Sequence, residues 1–221
     1  MQKNNSLIDE SKTIKGIYGD FKITSVDKKE VLYYRLSIIS CALFLTLGLS
    51  QWFILGSNQI WIFLAGMTIS LGFSLKWIHI YLRPLHQLLI FFWAIGCIGF
   101  FVIAYKFGLT NIISGLKQNP KFIFLIGPLF ASLTGVGFKE FFCFRRFEAI
   151  GITIIIPITF LGYLSQINDE KSTFILLFIS SLLLLILGIR KFDLPPEADI
   201  GDKSVFEFLE KQKRQNLIDL N

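Results

Sequence analysis

The residues most able to do chemistry lie in one stretch, Gly135–Glu148, with the sequence GVGFKEFFCFRRFE. Lys139, Glu140, Arg145, Arg146 and Glu148 alternate there with phenylalanines. If a helix runs through this stretch to Phe144, Lys139 and Glu140 sit about 7 Å inside its end, at 1.5 Å per residue. Ionisable groups at such depth in an apolar helix are costly and often functional. Pairing with other groups relieves the cost, with Arg145 or Arg146 as candidate partners. An adjacent arginine pair suits phosphate or carboxylate through bidentate bonding. The chemistry implied is binding of an anionic lipid headgroup, docking of another membrane protein, or gating of a pathway. The competing account is a short cytoplasmic turn with basic residues and interfacial aromatics.

His79 and His86 flank Leu82-Arg83-Pro84 and form an interfacial polar pair. Two imidazoles could ligate a metal, haem or chlorophyll, but neither has a His, Asp, Glu or Cys partner at i,i+4 to complete a site. Cys41, Cys97 and Cys143 form no CxxC and are odd in number, so neither a disulfide framework nor a zinc site is expected. No HExxH or GxSxG motif occurs. The sequence therefore nominates no catalytic residue, no metal and no cofactor.

What positions these residues is a membrane domain. Of 221 residues, 53% are hydrophobic and 17% charged, against about a quarter charged in soluble domains. Six apolar runs cover 36–55, 60–82, 88–105, 122–138, 149–165 and 173–189. Each is long enough for a span, which needs roughly 17 to 25 residues. The expected fold is an all-α, polytopic transmembrane bundle of six helices over 35–190. A polar N-terminal segment, 1–34, precedes it and a tail, 191–221, follows. The first run comes too late in the chain, and is too long, for a signal peptide. Pro128 and Pro157 fall inside the fourth and fifth spans and imply kinks, with Ser132 and Thr159 as candidates to satisfy the freed carbonyls. Gly127, Ala131 and Gly135 recur every four residues, which would admit a second helix closely.

Charge sets the expected orientation. With both termini inside (N-in/C-in), the cytoplasmic side holds 18 Lys and Arg and the opposite side 4, as the positive-inside rule requires. Five spans would destroy that asymmetry. The net charge of +6 thus reports topology, and nucleic acid is not an expected partner; the lipid bilayer is. Trp52 and Trp61 flank the first external turn. Asp27-Lys28-Lys29-Glu30 has the pattern of a helix start, and Ile17–Thr24 alternates like a strand. In the tail, Pro195-Pro196 stops the last span, and Ser204–Glu207 predicts a short helix over 205–216. Leu109–Leu116 suggests a short interfacial helix.

Gly127–Glu148, the span that follows it, the entry Asp27–Arg35 (DKKEVLYYR) and the tail Pro195–Phe206 (PPEADIGDKSVF) together resemble an uncharacterised integral membrane protein family widespread in cyanobacteria. The resemblance implies a multi-span protein with no assigned activity, in a plasma or thylakoid membrane. Carboxylate-poor spans disfavour a proton relay or cation carrier. The expected function is a non-enzymatic component that assembles, stabilises or organises a membrane complex. The alternative is a small-solute transporter or channel built on the proline-kinked fourth and fifth spans, whose half-helices would bind ions through backbone groups.

Overall fold

The computed structural model describes residues 12–80, 82–205, 208, 211, 212, 214 and 215. A β-hairpin comes first: β1 (Lys12–Lys15) pairs antiparallel with β2 (Asp20–Ile23), Ile14 opposite Phe21. Eight α-helices follow among the described residues: α1 (Ser25–Leu55), α2 (Ile60–Trp77), α3 (Arg83–Phe107), α4 (Ile112–Gln118), α5 (Ile123–Phe144), α6 (Phe147–Leu164), α7 (Glu170–Arg190) and α8 (Pro196–Ile200). Six of them, α1, α2, α3, α5, α6 and α7, belong to helical segments long and apolar enough to cross a membrane. They form a closed ring. α1 packs on α2 and α7, α6 lies between α7 and α5, and α3 bridges α5 to α2.

The helix ends follow local chemistry. α1 begins at Ser25, well before the expected apolar run. Its N-cap is Thr24, with Asp27 at the third helical position completing a capping box: Asp27 N–H donates to Thr24 Oγ1, and Thr24 N–H to the Asp27 carboxylate (2.7 Å). Asp27 is therefore the acid of the box rather than its cap. α2 stops at Trp77, short of the expected 82. Ile78 turns to extended geometry, and the His86 ring nitrogen lies 2.7 Å from the Leu75 carbonyl, satisfying one of the acceptors that a helix end leaves over. α3 restarts with Pro84 in its first turn, where a missing N–H costs nothing.

α5 and α6 run continuously through Pro128 and Pro157. The expected hydroxyl compensation does not occur. Thr159 Oγ1 donates to Ile155 O, and Ser132 Oγ, fully buried, finds no partner among the described residues. The close helix approach follows only part of the small-residue stripe: Gly135 lies against Leu89 of α3. Gly127 faces open space. Gly96 and Gly99 of α3 lie instead against Leu129 and Leu125 of α5, and a Cβ on Gly99 would meet backbone atoms of Leu125.

The core fills the ring, with Tyr34, Leu71, Leu133 and Ile152 among its buried members. A satellite core of Phe21, Ile23, Val31 and Ile200 seats the hairpin on the start of α1 and on α8. Beyond it, Asp202 accepts from Ile17 N–H (2.6 Å), and Ser204 Oγ accepts from Tyr18 N–H (3.1 Å). Tyr18 stacks on Phe208 at 4.2 Å between ring centroids. Hairpin and tail therefore cap the same end of the bundle. Ser204, Val205, Phe208, Lys211, Gln212, Arg214 and Gln215 are helical; the remaining positions of the helix expected over 205–216 lie outside the described residues.

Candidate functional site

The capped end contains a buried knot of charge, built from four chain segments. α5 continues to Phe144, which places Lys139 and Glu140 inside the bundle rather than on a turn. α1 brings Tyr34 and Arg35. The turn after α7 brings Lys191, and α8 brings Asp199. All six are buried, Lys191 and Glu140 at 0% exposure. Pro195 and Pro196 matter locally: with fixed φ they end the path from α7 and start α8 at once, turning Asp199 back onto Lys191.

Every polar atom in the knot has a use. Glu140 accepts from Tyr34 OH (2.6 Å) and Lys139 Nζ (3.0 Å) on one oxygen and from Lys191 Nζ (2.6 Å) on the other. Lys191 Nζ also donates to Asp199 Oδ1 (2.5 Å). Arg35 grips the second oxygen of Asp199 through Nε (2.8 Å) and Nη2 (2.6 Å), and its remaining N–H groups reach the carbonyls of Leu194 and Pro195. The ammonium of Lys191 lies 5.0 Å from the Tyr34 ring centroid and 4.8 Å from that of Phe144, within the range of cation–π attraction. Three cations face two anions, so the knot carries one net positive charge. Desolvating five charges is tolerable only because each is paired and hydrogen-bonded.

A second, shallower cluster lies beside it. Arg190 Nη1 donates to Glu148 (2.8 Å), and Arg146 Nη2 donates to the Arg190 carbonyl (3.1 Å) while its Nη1 stands 3.6 Å from Glu148. Arg145, left-handed at φ 50°, ends α5 and is exposed. The nominated residues thus separate into two groups. Lys139 and Glu140 belong to the knot; Arg146 and Glu148 belong to the neighbouring cluster; Arg145 points to the surface. Glu140 pairs with Lys139 and Lys191, not with Arg145 or Arg146 as the sequence suggested.

Tyr34, Arg35, Lys191 and Asp199 escaped the sequence reading. Arg35 and Lys191 look like two more basic residues at span ends. Nothing local separates buried Lys191 from its exposed neighbour Arg190. The one available signal was the double proline before an acidic stretch, Glu197 and Asp199, which forces a reversal bringing Asp199 back toward the bundle.

The histidines sit apart. His79 Nε2 lies 3.6 Å from Glu30, and burial pushes its imidazole below the usual value, opposed by the Glu30 charge. His86 is occupied with the Leu75 carbonyl. Among the described residues no three His, Cys, Asp or Glu side chains converge as metal ligands. The one hydroxyl–carboxylate contact of the knot, Tyr34 with Glu140, is buried. Chemically, the knot is a tie between segments far apart in sequence.

A family profile described as "Uncharacterized integral membrane protein (DUF2301)" matches residues 73–208. The chain belongs to this family. The match runs from late α2 through α8, so it takes in Lys139, Glu140, Lys191 and Asp199 of the knot, while Tyr34 and Arg35 lie before it. An uncharacterized protein of Haemophilus influenzae is 34% identical over 84 residues, which make up 37% of this chain and 48% of that protein. The alignment thus spans about half of that relative's length. No solved structure matches. Like its family, the chain is a multi-pass integral membrane protein.

Proposed function

We propose that the protein is a non-enzymatic membrane component that stabilises or organises a larger membrane complex, with the capped end of the bundle in the cytoplasm. One observation carries this reading: the ionisable side chains that enter the bundle from its capped end are spent on one another. Lys139, Glu140, Lys191, Asp199 and Arg35 are at most 6% exposed and mutually paired. A proton relay or carrier needs groups that exchange partners with water or substrate. Here they fix the tail and α1 to α5, which makes a stiff platform. Such a platform suits a partner that must meet a constant surface. Arg145, Arg146 and Arg190 on its rim supply the contact to an acidic protein segment or an anionic headgroup. The 18-to-4 distribution of Lys and Arg supports the cytoplasmic placement.

Transport by the proline-containing helices is the weaker reading, because α5 and α6 are unbroken and offer no unwound backbone to an ion. The test is purification of the tagged protein from its native membrane in mild detergent. Co-migrating membrane proteins in stoichiometric yield, lost with Arg145→Ala/Arg146→Ala, are expected. A monodisperse species without partners, together with solute flux in liposomes that Lys139→Ala abolishes, would overturn the assignment.

A further inference from the structure

The half of the bundle opposite the charge knot contains a cavity of about 140 Å³. α1, α2, α5, α6 and α7 wall it, and the short helix α4 closes it from the end. Its walls are apolar, with Leu49, Leu64, Met67, Phe130 and Leu177 among them. Polar groups gather at one end: Lys117 of α4 and Glu170 of α7 form an ion pair of 2.5 Å, both side chains about half exposed, with Thr173 and Tyr163 beside them. Tyr163 OH donates to the Leu116 carbonyl (3.0 Å), which anchors α4 over the opening. On the flank, Phe44 is both a lining residue and partly exposed on the outer surface of the bundle, so little separates the cavity from hydrocarbon.

We infer that this cavity is a binding site for a segment of one acyl chain of a membrane phospholipid, with the headgroup at the Lys117–Glu170 pair and the rest of the chain in the surrounding hydrocarbon. Three features carry the assignment. An apolar cavity of this size stays dry and takes apolar guests. The surroundings of a membrane bundle are themselves acyl chains, so the guest is present at very high local concentration. The polarity runs in one direction, from a hydrocarbon pouch to a charged rim, as an amphiphile requires. A headgroup phosphate would exchange for Glu170 at Lys117 in a charge-assisted hydrogen bond. The ion pair meanwhile keeps both charges satisfied when the site is empty.

The test uses the full-length protein, purified in detergent, washed free of loosely bound lipid and examined by native mass spectrometry. One phospholipid per chain is expected to persist. Leu64→Phe and Leu177→Phe fill the pouch from opposite walls, and each is expected to lower the retained fraction at least tenfold while leaving helix content by circular dichroism unchanged. Two independent walls are used so that a folding defect in one variant does not decide the matter. Absence of retained lipid on the folded wild-type chain, or equal retention in both filled variants, overturns the site. A retained free fatty acid in place of phospholipid overturns the assignment of the headgroup to the Lys117–Glu170 rim.

Discussion

Replacing Glu140 with glutamine is the sharpest probe of the charge knot. Among the described residues Glu140 is the sole anion touching Lys139, and it shares Lys191 with Asp199. Its shape survives in Glu140→Gln, but the net charge of the buried knot rises from one positive to two. Removing one partner of a buried pair costs about 3–5 kcal/mol, because the other charge stays buried. Lys191→Met makes the opposite change. It brings the knot to neutrality and leaves Glu140 with Lys139 and Tyr34, and Asp199 with Arg35. Its cost should be the smaller by roughly 0.5–3 kcal/mol, the usual size of coupling in one network. The double variant Glu140→Gln/Lys191→Met returns the knot to one net positive charge, although Lys139 still lacks its anion, so it should be more stable than Glu140→Gln alone. The assay is equilibrium unfolding in mixed micelles, read by tryptophan fluorescence, with limited proteolysis of the tail beyond Lys191 as a second signal. The tail should become cleavable in Glu140→Gln before the bundle unfolds. Additive costs in the double variant, or a Glu140→Gln variant within about 0.5 kcal/mol of wild type, would refute the account of the knot as a mutually dependent charge network.

The same geometry yields further expectations. Gly99→Ala drives a methyl into the Leu125 backbone and should cost about 1–3 kcal/mol as overpacking, whereas Gly127→Ala meets open space and should be neutral or stabilising by up to about 1 kcal/mol from helix propensity; unfolding in micelles separates the two. His79, held below its ordinary value by burial, stays neutral in the folded chain as an unfolded histidine begins to protonate near pH 6.5. Its contribution to stability is therefore complete above that pH and falls as pH drops below it, and His79→Asn should flatten that part of the profile. Asp202, held low by the Ile17 N–H and Ser204, acts in the acid range. It supports the hairpin–tail contact above the ordinary carboxylate value, about 3.9, and loses it as pH falls through its depressed one. Asp202→Asn should loosen the hairpin at neutral pH, seen as faster amide exchange at Ile17.

The bundle was legible because its signals are long and redundant. Six apolar runs and a one-sided charge distribution each point to the same six helices, and a few misplaced residues change neither. Span ends were less legible. The start of α1 rests on a local capping box, Thr24 with Asp27 three residues on, a pattern that the overlapping Asp27–Glu30 match obscured. The end of α2 depends on His86, whose ring reaches back to Leu75 across a turn. The depth of Lys139 and Glu140 was readable from helix geometry, since rise per residue converts position into distance. Their partners were not. Lys191 lies 51 residues from Glu140 in sequence, and Arg35 lies 164 from Asp199. A basic residue at a span end looks the same whether it snorkels outward, as Arg190 does, or folds inward, as Lys191 does. Only the closed ring, which brings α1, α5 and α7 together at one end, decides between them.

The ring also explains why charge and void sit at opposite ends. At the capped end, the hairpin, α8 and the turn after α7 add material beyond the six helices. The space between helix ends there is filled by long polar side chains whose heads meet. At the other end the long connection from α3 to α5 carries α4, which lies across the opening. The side chains that line the pouch there are mostly aliphatic and aromatic, with the Lys117–Glu170 pair, Tyr163 and Thr173 confined to its rim. Leaving about 140 Å³ empty still forfeits packing, on the order of 3 kcal/mol at about 24 cal/mol per Å³. A hydrocarbon chain recovers that loss, and water does not. The two ends thus carry different duties. The charge knot fixes the shape of the bundle, and the apolar end remains free to accept a guest without disturbing it.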